Sequence, residues 1–192
     1  MIPCDLYPVL PATFETAAML DALPGLLARP EVTALRFPAT HSLDKKQLSK
    51  FVSLLHENDV ALMLDVADVT VSISPDLLKV ADGIHAPSPD SLPALRKIAG
   101  ENIQIGCFCQ SRDEAMQAGE SGADYIAFPS EHADMIKWWT SVMELPAVAE
   151  NIVSAEAART ARDSATDFLA IPLKLDGSDQ DSVIKLLGAL ST

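Results

Sequence analysis

Asp82-Gly83-Ile84-His85-Ala86, Ile103-Gln104-Ile105-Gly106-Cys107-Phe108 and Gly122-Ala123-Asp124-Tyr125-Ile126-Ala127-Phe128-Pro129 are three short apolar runs with an amphipathic segment in each gap. Runs of this length suit buried strands and the gaps carry helical spacing, so residues 82–129 read strand, helix, strand, helix, strand. Ser88-Pro89-Asp90 opens the first helix, with Asp90 placed to cap it, and Ala99-Gly100 ends it. Ser111 caps the second helix, over 112–120.

The alternation continues in both directions. Upstream, Leu6-Tyr7-Pro8-Val9-Leu10 is an apolar run broken by Pro8, a residue for an early or irregular strand rather than the middle of a ladder. A helix over 16–28, a strand over 33–37 and a helix over 43–58 follow. Val60-Ala61-Leu62-Met63-Leu64-Asp65 ends on an acid, as expected of a parallel strand buried on both faces with a polar residue at its C-terminal mouth. Ser74-Pro75-Asp76 supplies an N-cap and a first-turn proline for a short helix over 77–81. Downstream the pattern gives a helix over 133–143, a strand over 146–149, a helix over 155–162, a strand over 168–171 and a helix over 181–190.

Strand starts thus fall at Leu6, Thr33, Val60, Gly83, Ile103, Asp124, Pro146 and Phe168, settling to a unit of roughly 20 to 23 residues, the length of a strand with its crossover helix. Eight such units close into an α/β fold of the (β/α)8 TIM-barrel type. An open doubly wound sheet would show a Gly-rich first turn and fewer strands. The 192 residues fit one domain, 1–192.

The formal charge of −13 argues against nucleic acid or an anionic membrane as partner, because both require clustered Lys and Arg. No apolar run reaches the length of a spanning helix and Met1-Ile2-Pro3-Cys4-Asp5 lacks a basic n-region, so a cytoplasmic protein is expected. Cys107 and Cys109 share one face of a strand and read as small buried thiols, with a redox or metal pair as the alternative. Trp138 and Trp139, adjacent on a helix, point about 100° apart, which places one in the core and the other at the surface or in a homodimer interface. Lys45-Lys46 reads as a solvated face.

Asp82-Gly83-Ile84-His85 with Asp90 five residues beyond the His, Ile105-Gly106, Ser111 with Glu114-Ala115, and Gly122-Ala123-Asp124-Tyr125-Ile126-Ala127-Phe128 together resemble the thiamine phosphate synthase and TenI family. The resemblance covers residues 60–130 by motif and the rest by strand spacing. It implies a compact (β/α)8 barrel that works in thiamine biosynthesis. The implied reaction is a Mg²⁺-dependent transfer of a hydroxymethylpyrimidine group from its pyrophosphate to a thiazole phosphate, or a TenI-type isomerisation of the thiazole. Two aspartates of the family's strand-three and strand-four elements help to hold Mg²⁺, and the matching positions here are Asp65 and Asp90. A hard dication wants carboxylate oxygen and lets substrate phosphate complete its shell.

Around these acids the sequence departs from the family pattern. Gln-Leu-Arg-Glu-Lys on strand two is Ala34-Leu35-Arg36-Phe37-Pro38, which keeps the Arg and loses the Lys. The Ser and His that follow Ile-Gly on strand five are Phe108 and Gln110. The loop after strand six is cut to Pro129-Ser130. Strand seven ends in Ala149-Glu150-Asn151 instead of a Gly-Gly phosphate turn, and Pro172 follows strand eight with no N–H to offer.

The resemblance therefore assigns Arg36 and Gln110 as catalytic candidates and His85, Cys109, Glu150 and Asn151 as contacts for a small phosphorylated or heterocyclic ligand. Each has a plainer reading. Arg36 pairs with Asp65 or Glu150, His85 is a hydrogen-bonded core histidine, Asp65 is a solvated strand-end acid, and Gln110 bonds loop backbone. Glu150 is expected where a phosphate would approach, so activity is reduced or lost. The alternative is a non-catalytic member that binds a small ligand or a protein partner. An aldolase-type barrel would need a strand-end Lys, and Lys174 is the candidate.

Overall fold

A computed structural model describes residues 4–68 and 73–191; the reading of Met1-Ile2-Pro3 as no signal segment lies outside them. Strands β1 (Asp5–Val9), β2 (Ala34–Pro38), β3 (Ala61–Asp65), β4 (Gly83–Ala86), β5 (Gln104–Phe108), β6 (Tyr125–Pro129), β7 (Ala147–Glu150) and β8 (Phe168–Pro172) form a closed parallel barrel in chain order. Helices α1 (Thr16–Leu27), α2 (Lys45–Glu57), α3 (Pro75–Leu78), α4 (Leu92–Ala99), α5 (Arg112–Glu120), α6 (Ala133–Val142), α7 (Ala155–Asp163) and α8 (Asp179–Leu190) form the outer ring. The fold is the (β/α)8 barrel that the strand spacing predicts.

Alternation along each strand divides the apolar residues into two cores. Leu35, Phe37, Leu62, Leu64, Ile84, Ile105, Ile126, Phe128 and Leu169 point outward against Met19, Leu23, Phe51, Leu95, Ile136, Trp139 and Val183 of the helices. Tyr7, Met63, Tyr125, Ala127, Val148 and Ala170 fill the barrel. The pairing registers stack inward residues of alternate strands in layers. Rising toward the C-terminal mouth, Tyr7, Met63, Gly106 and Val148 lie below Arg36, His85, Ala127 and Ala170. Val9, Asp65, Phe108 and Glu150 come next, and Pro38, Pro129 and Pro172 stand at the rim.

One device recurs at the opposite, N-terminal end. Asp82, Asp124 and Asp167 stand immediately before β4, β6 and β8, and each accepts the backbone N–H at the start of the preceding strand: Leu62 at 2.8 Å, Ile105 at 2.7 Å and Ala147 at 2.8 Å. The carboxylates take donors that the ladder leaves over where the barrel opens. Thr33 holds the equivalent place before β2. There the Leu6 N–H bonds the Glu31 carbonyl instead, and the buried Thr33 Oγ1 has no partner among the described residues.

The expectation for Pro8 needs correction. Pro8 sits inside β1, aligned with Ile171 of β8. The N–H groups of Leu6 and Leu10 point toward the β2 side, bonding Glu31 and Arg36 carbonyls, so it is the β1–β2 ladder that loses a bond at Pro8. That seam retains the single register pair Val9 with Arg36. Two helix starts also differ from expectation. A 3-10 turn, Pro89–Ser91, precedes α4, and Ser74 precedes α3 without a side-chain bond to it. The last helix begins early at Asp179, whose carboxylate accepts the N–H groups of Lys174 and Leu175, each at 2.8 Å, and folds the loop onto the helix.

Gly106 is required by what lies over it. A Cβ there would stand 1.8 Å from the Tyr125 ring, and that ring is held by two hydroxyl contacts described below. Gly106→Ala is expected to cost about 1–3 kcal/mol, the usual range for overpacking, measured by urea unfolding.

Candidate functional site

The polar centre of the barrel joins residues from six strands. Arg36 on β2 reaches across to Glu150 on β7, Nη2 to Oε2 at 2.5 Å, with the side chains 5% and 13% exposed. The Arg36 guanidinium also lies 5.3 Å from the centre of the Tyr7 ring. His85 on β4 has its Nδ1 2.9 Å from the Tyr125 hydroxyl, and that hydroxyl lies 3.1 Å from the Tyr7 hydroxyl. His85 Nε2 faces Glu150 Oε1 at 3.9 Å, beyond hydrogen-bond range. Glu150 Oε1 and Arg36 Nε are buried without a hydrogen-bond partner among the described residues.

The electrostatics follow from burial. Desolvation opposes the Arg36 charge, and the neighbouring Glu150 carboxylate more than restores it, holding the guanidinium above its ordinary value. Burial, assisted by Arg36, keeps His85 well below the usual imidazole range, so the ring is neutral at neutral pH. Burial pushes the phenols of Tyr7 and Tyr125 up. Asp65, half-buried at the end of β3, is raised by burial and drawn back by Arg36.

The candidates do not all converge. Arg36, His85, Glu150 and Asp65 belong to this centre, and Arg36 takes Glu150 as its partner. Glu150 is thereby turned into the barrel and neutralised, the second of the two acids the sequence offered as a partner for Arg36. Asn151 is exposed just beyond, with φ +60°, the left-handed turn that glycine adopts freely and that Asn tolerates well. The glycines are replaced, yet this turn remains.

Asp90 is exposed in the 3-10 turn and accepts a hydrogen bond from Gln117 Nε2 at 3.1 Å. That engagement corrects its reading as the cap of α4, and Asp90 and Asp65 face different partners. Cys109 is fully buried in the layer between sheet and helices, its Sγ 3.9 Å from Cys107 Sγ, which corrects its assignment as a ligand contact. Gln110 is exposed, and its N–H donates to Glu114 at 2.6 Å. Trp139 is core, whereas Trp138 is half-buried beneath the Arg112 guanidinium at 4.8 Å. No three His, Cys, Asp or Glu residues cluster as metal ligands among the described residues.

The sequence reading missed a hollow of about 340 Å³ between the loops after β7 and β8, lined in part by Ser154, Ala155, Pro172, Lys174, Ser182 and Lys185. It gathers two lysines beside the first turn of α7, where backbone N–H groups and the helix dipole favour an anion. Lys174 and Lys185 lie on opposite sides of a loop-to-helix turn, so no spacing rule signals their meeting.

Two measurements test the centre. Glu150→Ala leaves a buried unpaired guanidinium and is expected to lower stability by about 3–5 kcal/mol, whereas the double change Arg36→Met with Glu150→Leu recovers most of it in the same urea titration. For His85 the folded value lies below the unfolded one. Below about pH 6.5 the unfolded chain therefore binds a proton that the native ring refuses, and stability falls with decreasing pH by about 1.4 kcal/mol per unit for one proton. His85→Asn is expected to remove that part of the slope, read from unfolding curves at successive pH values.

The model of the thiamine monophosphate synthase family matches residues 6–171. The thiamine-phosphate synthase of Rhodospirillum centenum is 30% identical over 190 residues, covering 89% of this chain and 88% of that protein. The thiamine-phosphate synthase of Erythrobacter litoralis is 28% identical, over 95% of this chain and 89% of its own length. Among solved structures, a thiamine phosphate pyrophosphorylase from Pyrococcus furiosus superposes with a TM-score of 0.73 at 19% identity, over 99% of this chain and 96% of that one. A truncated 3-deoxy-D-arabino-heptulosonate 7-phosphate synthase from Thermotoga maritima reaches 0.70 at 14% identity, over 98% and 85%, so the barrel shape is shared well beyond one chemistry. The family model and the sequence relatives carry the assignment: this chain belongs to the thiamine monophosphate synthase family.

Proposed function

We propose that the C-terminal mouth binds a heterocyclic monophosphate of the thiazole phosphate kind, and that transfer of a pyrimidine group from its pyrophosphate is reduced or lost. The observation that carries this reading is the pairing of Arg36 with Glu150. The guanidinium matched to the family's strand-two Arg is buried and neutralised, and is not available to a pyrophosphate leaving group. The hollow with Lys174 and Lys185, between the loops after β7 and β8, supports a place for a single phosphate outside the barrel axis.

The residues present fit Mg²⁺ poorly. Asp65 is a half-buried carboxylate whose charged form burial disfavours, and Asp90 is engaged with Gln117. A dication held through pyrophosphate oxygens needs charged carboxylates facing it together. Ionisation of the pyrimidine pyrophosphate depends on electrostatic support at the leaving group, and each lost donor of this type lowers rates by about 10²–10³.

The reading is tested by calorimetric titration with hydroxyethylthiazole phosphate and by a transferase assay beside the Rhodospirillum centenum relative. Binding is expected to be weakened by Lys174→Ala and by Lys185→Ala, with turnover at least about 10²-fold below that of the relative. Turnover equal to the relative with Mg²⁺ present, or binding indifferent to both lysines, overturns it.

A further inference from the structure

The barrel is open at the end away from the mouth. Asp5, Tyr7, Ala34, Ala61, Met63, Tyr125, Val148 and Phe168 are among the residues around a space of about 330 Å³ at the N-terminal ends of the strands. Barrels of this kind carry bulky branched side chains in their inner layers. Here β2 and β3 begin with Ala34 and Ala61, and the space is what those small residues leave. Its volume is that of a small-ligand pocket, with aromatic and apolar walls and a few polar groups.

We propose that this pocket is a second binding site, separate from the mouth, for a small planar heterocycle that carries no negative charge. The walls determine the shape. The Tyr7 and Tyr125 rings meet edge-on at 79°, and the Met63 thioether and the Phe168 ring complete surfaces on which a flat ring packs well. The rim determines the charge. Two carboxylates, Asp5 and Asp124, line it against the Arg96 guanidinium that stands 3.0 Å from Asp124, so an anion entering meets net negative potential. The wall determines the polar contact. Thr33 lines the pocket at the one place before β2, β4, β6 and β8 where no aspartate clamps the preceding strand, and its buried Oγ1 has no partner among the described residues.

The test is nuclear magnetic resonance of the full chain with labelled Met methyl groups and Tyr rings, titrated with indole, N-methylpyridinium or benzoate. Indole and N-methylpyridinium are expected to shift the Met63, Tyr7 and Tyr125 signals saturably, and benzoate is expected to leave them in place. Ala34→Leu fills the space and is expected to abolish the shifts while the titration with hydroxyethylthiazole phosphate at the mouth is unchanged; Ala61→Leu serves the same purpose if the first variant does not fold. Absence of saturable shifts with both non-anionic probes, equal shifts with benzoate, or shifts that survive the filling substitution overturn the proposal. Because the mouth is titrated separately, failure here and failure of the function proposed above are distinguishable.

Discussion

The pairing of Arg36 with Glu150 across the barrel axis conditions most of what surrounds it. A guanidinium this deeply buried is tolerated only beside a carboxylate, and a carboxylate there only beside a cation. Burial, reinforced by the charged Arg36 close by, keeps His85 neutral, and the ring shares a hydrogen bond with the Tyr125 hydroxyl. Tyr125 reaches that position because Gly106 leaves room for its ring. A single ion pair thus links β2, β4, β5, β6 and β7 through volume and charge.

The two ends of the barrel are built on different principles. At the N-terminal end, aspartates before β4, β6 and β8 clamp the start of the preceding strands, so the Asp82-Gly83 and Asp124-Tyr125 elements of the family resemblance are structural fasteners. At the C-terminal end, Pro38, Pro129 and Pro172 close the strands without offering an amide. The lysines Lys174 and Lys185 gather to the side instead, beside the first turn of α7. The separation agrees with the general division of such barrels into a stability face and an activity face, with the open space under Tyr7 as its exception.

How far the site was legible varied with the range of the interaction that decides each residue. Cys107 and Cys109 were readable as buried neighbours, and Trp138 and Trp139 as one core and one outer residue, because strand and helix periodicity is local; which of the two is core, Trp139, the packing decides. The Arg36 partner was readable as one of two acids. Asp90 was not readable: the Gln117 amide that donates to it lies on α5, and motif matching places a residue without saying which way its side chain turns. Pro8 was misjudged because the side of the strand that loses its hydrogen bond depends on which neighbour each N–H faces.

By itself the sequence determined the barrel: strand spacing, alternation and turn residues are short-range properties, and eight repeats of strand and helix in a chain of this length close in one way. It also determined the family, through the glycines and aspartates of residues 82–129, which in this chain serve turns, strand starts and close packing. Only the tertiary structure decided the state of the site. Arg36 and Glu150 stand 114 residues apart, and whether Glu150 repels a phosphate or neutralises an arginine is settled by which of the two lies within hydrogen-bond reach inside the closed barrel.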